Sequence, residues 1–161
     1  MRADDDDEDE GAPDEGAPDE GDETRGLGPA ALLAGARAAR AREQTQAGAT
    51  TVERVRLGCW LAAIKRHEAY RKEGCASLEA WAQKTLGIGR SMANRYVRIA
   101  VLPLKLVRGY DLGISKLDRL VRCPAPVRPG LVAQAVAWQE PVLQAAASAA
   151  RLSYKKTKDV P

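Results

Sequence analysis

The chain has 161 residues, of which 29% are charged, and a formal net charge of +3. This length corresponds to about one domain. The charge is unevenly distributed, because residues 1–24 hold 13 of the 22 acids but one of the 25 bases, which leaves the remainder at +15. A region with this much positive charge attracts polyanions. The composition therefore favours nucleic acid or, less specifically, an anionic membrane surface as the partner.

Several classes of protein are excluded by the same composition. The N-terminus is acidic where a signal peptide is basic and then apolar, and no apolar run approaches the ~20 residues that span a bilayer. Cys59, Cys75 and Cys123 are scattered without a CxxC pair, which argues against a disulfide framework or a zinc finger. We expect a cytoplasmic protein without metal or cofactor and without a membrane association. Its richness in Ala and Leu predicts an all-α fold.

Residues 1–24 form an acidic tail in which GAPDE occurs twice in tandem. The segment lacks apolar groups that could offset its ordering entropy, so we expect it to be disordered. Two roles remain open for it. The tail is either a solubilising extension or a DNA mimic that contacts the protein's own basic face.

Residues 25–50 are rich in Ala and Arg, and their run ALLAGARAARAREQTQ offers only Leu32 and Leu33 as large apolar side chains. We interpret them as a linker or frayed helix, with a basic arm on DNA as an alternative. A helical domain is predicted for residues 51–153, followed by a basic C-terminal end at 154–161.

The domain begins with a long amphipathic helix from Thr51 to about Lys72, which is expected to form a back wall and to end at Gly74. Ser77 then caps a helix that ends at Leu86. Gly87 suits the left-handed turn that follows, and a second helix runs from Arg90 to Leu102. This outline is a helix-turn-helix. Shorter helices after Pro103 and an alanine-rich last helix at about 140–152 bring the total to perhaps six.

The second helix carries one polar face. Arg can bind guanine and Asn adenine through paired hydrogen bonds in the major groove, and residues near the start of such a helix lie deepest. No acid occurs between Glu79 and Asp111, so this face has no local counter-charge in the sequence. The alternative is an ordinary solvated helix face. The predicted DNA-binding residues are Arg90, Ser91, Asn94 and Arg95 as base contacts and Arg98 as a phosphate contact.

The run GCASLEAWAQKTLGIGRSMANRYVRIAVLP, followed by GISKLDRLV, resembles the helix-turn-helix region of ParB/KorB-type partition and regulatory proteins. It is also similar to the helical region that precedes HNH nucleases in some bacterial proteins. The resemblance implies an all-α, DNA-contacting region, with Arg90, Ser91, Asn94 and Arg95 at the recognition positions. The chain departs from the usual pattern at Gln83, where a small residue is normal, and at Gly89, where Ser or Thr usually caps the second helix.

The resulting hypothesis is a sequence-specific, non-enzymatic DNA-binding protein, either a transcriptional regulator or a partition-like factor. Its only histidine, His67, cannot build a nuclease centre, and no catalytic residue is predicted. A homodimer on palindromic double-stranded DNA is expected, with the last helix or the segment around Trp138 as its interface. Two alternatives remain: an interaction adaptor whose acidic tail recruits a basic partner, and the DNA-binding remnant of a nuclease-type protein.

Overall fold

The computed structural model describes residues 23–45, 51–137 and 140–158. Within these ranges the chain forms eight α-helices and two short 3-10 helices and no strand, which confirms the all-α prediction with two helices more than expected. The α-helices are α1 (Pro29–Thr45), α2 (Thr51–Arg66), α3 (Leu78–Leu86), α4 (Arg90–Ile99), α5 (Leu104–Val107), α6 (Ile114–Val121), α7 (Arg128–Ala135) and α8 (Glu140–Lys158), and the 3-10 helices are Ala69–Glu73 and Ala125–Val127.

The predicted tail lies outside the described residues except at its end, where Glu23 Oε1 lies 3.7 Å from Arg56 Nε. Trp138, predicted as part of a dimer contact, is also outside them.

Helix α2 lies at the centre of the molecule, and the prediction of a back wall is wrong. Its side chains are buried on several sides, because α1 packs against one side and α4 against another. The helix is also shorter than predicted. It ends at Arg66, and Glu68 adopts a left-handed conformation (φ 49°) before the 3-10 helix begins. The prediction that the helix runs on to Gly74 is therefore wrong; Gly74, with φ 72°, ends the separate 3-10 helix instead.

Helix α1 replaces the linker or frayed helix predicted for this region. Leu32, Leu33, Ala36 and Ala39 are all buried in the common core. A Cβ atom on Gly35 would lie 2.3 Å from the Trp60 ring, so α1 approaches α2 closely because this position has no side chain. Small residues thus let the helix bury a face that contains only two large apolar side chains.

Helix α3 has the bounds that its sequence predicts. The Ser77 Oγ accepts a hydrogen bond from the Ala80 N–H at 3.1 Å, and this N-cap satisfies one of the free donors of the first turn. At the other end Gly87 adopts φ 66°, and the Ile88 N–H donates to the Ala82 carbonyl at 3.2 Å. The buried side of the helix consists of Leu78, Trp81, Ala82 and Leu86.

Helix α4 begins at Arg90 as predicted but ends at Ile99, not at Leu102. The chain turns at Ala100, and Leu102 is buried beyond the helix just before Pro103. The residue before a proline is disfavoured in helical geometry, so the chain leaves the helix ahead of it.

The last helices are joined to α4 through α6. Helix α6 packs against both α4 and α8, and α8 is anchored by its buried Leu143 and Ala147. Helix α8 extends past the predicted end at residue 152, so the first part of the predicted basic end is helical. All residues from 151 to 158 are exposed.

Candidate nucleic-acid interface

One side of α4 is fixed in the core while its first turn remains at the surface. Ala93, Tyr96 and Ile99 are buried, and α2 crosses α4 so closely that a Cβ atom on Gly58 would lie 2.3 Å from the Tyr96 carbonyl oxygen. The extended Gly89 leads into the helix without a side-chain cap. The core therefore sets the direction of α4, while its N-terminal turn stays at the surface.

Three of the predicted contact residues share the accessible side of this turn. Arg90 and Ser91 are exposed, and Asn94 is partly buried one turn later. Arg90 interacts electrostatically with Glu79 at the start of α3. A hydrogen bond from the Glu79 backbone N–H is the main cause of a lowered pKa of that carboxylate, and Arg90 acts in the same direction.

The helical spacing of α4 places Met92 on the side of Ala93 and Tyr96, but the structure does not bury it. Met92 is 36% exposed, whereas Ala93 is fully buried. The helical pattern alone could not locate this edge of the core. A thioether side chain at this position adds an apolar contact to the polar face, of the kind that suits a thymine methyl group.

Arg95 lies between the exposed turn and α6. Its Nη1 donates to the Ser115 Oγ at 3.3 Å, and its side chain is partly buried. Gly113 is the N-cap of α6. Ser115 therefore contributes its hydroxyl to the junction between α4 and α6.

Arg98 is paired within the protein. Its Nε and Nη2 donate to the two carboxylate oxygens of Asp118 at 2.7 and 3.2 Å, and Arg122 Nη2 donates to the same carboxylate at 3.1 Å. The expectation that the α4 face lacks counter-charges is thus wrong at its C-terminal end. The acid comes from α6, twenty positions further along the chain, and is buried.

The Asp118 carboxylate is kept charged by these arginines. Burial by itself would raise its pKa, but hydrogen bonds and charges from Arg98, and then from Arg122, lower the pKa below its ordinary value. The hydrogen bond to Asp118 likewise raises the pKa of Arg98. The pair therefore joins α4 to α6 as two fixed, opposite charges.

Helix α1 contributes a second polar contact to α4, which the sequence analysis missed. The Tyr96 hydroxyl donates to the Glu43 carboxylate inside the protein, and Arg40 Nη1 donates to the same group at 2.6 Å. Arg40 Nε also donates to the Leu86 carbonyl at 3.3 Å, at the end of α3. Burial, followed by the hydrogen bond and charge of Glu43, raises the pKa of Tyr96. Helix α1 therefore holds both α3 and α4.

A third contact joins α1, the Ala69–Glu73 segment and α3. The Glu73 carboxylate accepts hydrogen bonds from Arg37 Nη2 at 2.5 Å and from the Trp81 Nε1 at 2.8 Å. The Arg37 guanidinium also lies over the Trp81 ring, 5.7 Å from its centroid. These two hydrogen bonds lower the pKa of Glu73, and the one from Arg37 has the larger effect. Trp81 is thereby fixed at the base of α3.

The described ranges contain no group of three or more His, Cys, Asp and Glu side chains placed to hold a metal ion. Over the same ranges, no helix combines the length and the apolar character needed to cross a bilayer. His67 is exposed, and no disulfide joins Cys59, Cys75 and Cys123.

Comparisons with protein-family models, with curated proteins and with solved structures found no match to this chain.

Proposed function

We propose that the protein binds double-stranded DNA in a sequence-specific manner, as a transcriptional regulator or a partition-like factor. In this proposal α3, the turn at residues 87–89 and α4 are a helix-turn-helix, and α4 enters the major groove. The observation that carries it is the first turn of α4. Arg90, Ser91 and Asn94 lie there on an accessible side, while the opposite side is fixed in the core.

The side chains of α4 have different roles in this proposal. Arg90 is placed to recognise guanine and Asn94 adenine, with Ser91 and Met92 at the edges of the same surface. Arg95 follows Asn94 on the side of α4 next to α6, and in this proposal it contacts either a base edge or a phosphate. Arg98 is a positioning residue, because its guanidinium is engaged by Asp118 and so orients α4 relative to α6.

The proposal includes a homodimer. One helix-turn-helix contacts few base pairs, and two copies on a palindrome reach the affinity typical of specific binding. Helix α8 exposes Val142 and Leu152, with 52% and 64% of each residue accessible, away from its buried Leu143. These exposed apolar side chains support the choice of the last helix as the dimer interface.

The direct test is selection of bound duplexes from a random DNA pool by the full chain. We expect an enriched motif, and a palindromic motif would show the symmetry of a dimer. No enrichment, together with no salt-dependent binding to any duplex, would rule out the proposal and favour an adaptor that acts through protein contacts.

Single substitutions then test the residues of α4. We expect Arg90→Ala and Asn94→Ala each to weaken binding to the selected duplex by about 1–3 kcal/mol, while binding to random DNA changes far less. Arg71→Ala is the matched control, because Arg71 is an exposed arginine on the Ala69–Glu73 segment. Equal losses on selected and random DNA would instead identify Arg90 and Asn94 as phosphate contacts.

A further inference from the structure

A basic groove lies beside the proposed recognition helix, between α4, α6 and α8. It consists of two adjoining cavities of about 140 and 80 Å³, and Arg119 and Arg122 line both of them. Arg95 borders the first cavity and Arg151 the second. We call this feature the arginine groove, defined by Arg95, Arg119, Arg122 and Arg151.

The arginine groove keeps a net positive charge although an acid lies in its wall. Asp118 lines the first cavity, but its carboxylate is held by Arg98 and Arg122. No Asp or Glu occurs in the sequence from 119 to 139 or from 141 to 158. Elements α6 to α8 therefore bring several arginines to the groove but few acidic side chains that could neutralise them. Such a concave surface attracts anions.

The exposed end of α8 continues the groove. Gln144 lines the second cavity together with Arg151, and at 100° per residue Lys155 and Lys158 fall on the same side of the helix. From 151 to 158 the helix advances by about 10 Å. One strand of B-DNA carries a phosphate per ~3.4 Å of axis, so this stretch matches about three phosphates.

The packing of the body does not account for this end of α8. Leu143 and Ala147 anchor the helix on α6, whereas every residue from 151 to 158 is exposed. Like charges repel along a solvated helix, so three cations on one side cost stability unless an anion lies against them. A bound polyanion removes that cost. Arg151, Lys155 and Lys158 are therefore better explained by binding to a partner than by stabilising the fold.

We propose that the arginine groove and the basic side of α8 bind the phosphates of the DNA strand that flanks the base pairs read by α4. This inference rests on the proposed function and adds a second, sequence-independent contact to it. Arg95 joins the two surfaces, since it lies on α4 and borders the groove. The DNA site then extends beyond the base pairs that α4 reaches, and backbone contacts fix the register of α4 on the duplex.

The test compares two triple variants that remove the same charge. The groove variant is Arg151→Gln, Lys155→Gln, Lys158→Gln, and the control is Arg66→Gln, Arg71→Gln, Lys72→Gln, whose positions are exposed near the end of α2. Binding to a 30-base-pair duplex and to a duplex trimmed to the selected motif is measured over a series of salt concentrations. Thermal unfolding verifies that both variants keep the fold.

We expect the groove variant to lower the salt slope on the long duplex by about 2 to 3, since each lost phosphate contact removes ~0.9. Its ratio of affinities for selected and random sequence should stay as in the unmodified protein. Trimming the duplex should weaken binding by the unmodified protein but hardly change binding by the groove variant.

An unchanged slope in the groove variant, or an equal loss in the control, overturns the inference. The proposed function would survive either result if Arg90→Ala still weakened binding to the selected duplex far more than binding to random DNA. No salt-dependent binding by the unmodified protein overturns both.

Discussion

Asp118 determines how the arginines around α4 are used. It is buried, yet three hydrogen bonds from Arg98 and Arg122 satisfy its carboxylate. A buried carboxylate without such partners would be costly, and the two arginines offset that cost. One acid thereby engages Arg98 within the protein and joins α4 to α6, while Arg90 stays accessible at the other end of the helix.

We expect Asp118→Asn to destabilise the protein by about 1–3 kcal/mol at neutral pH, because charge-assisted hydrogen bonds become neutral ones. The pKa of Asp118 is lowered in the folded protein, so its stabilisation is present above the ordinary value of ~3.9 and is lost as the pH falls through the folded value. The difference from the unmodified protein should therefore shrink below about pH 4. Urea unfolding across pH measures it.

Arg122→Gln is the control for this prediction. It removes the more exposed arginine and leaves the Arg98–Asp118 pair in place, so its cost should be the smaller one, under about 1 kcal/mol. If Asp118→Asn and the unmodified protein were equally stable at neutral pH, the carboxylate would have no role in joining α4 to α6.

At the scale of elements, the position of α4 depends on close helix crossings. Gly35 lets α1 approach α2, and Gly58 lets α2 approach α4, since an added Cβ would lie 2.3 Å from a neighbour in each case. The neighbour of Gly58 is a backbone carbonyl oxygen, which cannot rotate away as a side chain can. Glu43 and Arg40 then join α1 to α3 and α4 by hydrogen bonds. The core thus fixes the turn that presents Arg90.

We expect Gly58→Ala to destabilise the protein by about 1–3 kcal/mol, because overpacking outweighs the gain of up to ~1 kcal/mol in helix propensity. Thermal or urea unfolding measures the change. Gly130→Ala is a matched control in α7, where an added Cβ meets nothing within 4 Å, so it should be neutral or stabilising. A Gly58→Ala variant as stable as Gly130→Ala would show that α2 and α4 move apart at no cost.

Capping and turn residues predicted the ends of those helices whose ends depend on neighbouring residues in the sequence. Ser77, Gly87 and the start of α4 at Arg90 follow from capping and turn chemistry, and the structure confirms them. The packing partners were not predictable in the same way. Asp118 meets Arg98 only after α6 folds onto α4, and Glu43 meets Tyr96 across 53 positions.

The same limit applies to α1 and to the candidate site. Alanines and Gly35 bury α1 without the large apolar stripe that marks an amphipathic helix, so the sequence suggested a linker. The exposed turn with Arg90, Ser91 and Asn94 follows from its helical spacing. The arginine groove does not, because α4, α6 and α8 are distant in sequence and only their packing creates it.

At the scale of the whole molecule, two opposite charges are carried by separate regions of one chain. Residues 1–24 hold 13 acids and one base, whereas the remainder, which includes α4 and the arginine groove, is strongly basic. If the positive surface binds DNA as proposed, a covalently attached polyanion would compete for that surface at a high effective concentration. The tail should therefore reduce affinity for DNA most at low salt, where both attractions are strong.

We expect deletion of residues 1–22 to raise affinity for random DNA by about tenfold at low salt, with the difference fading as salt rises. Glu23 is retained, since it lies near Arg56. A full-length variant with every Asp and Glu of residues 1–22 changed to Asn and Gln is the control. It keeps the length and removes the charge, so it should behave like the deletion. If the deletion and the unmodified chain bound alike at low salt, the tail would not compete with DNA for the basic surface.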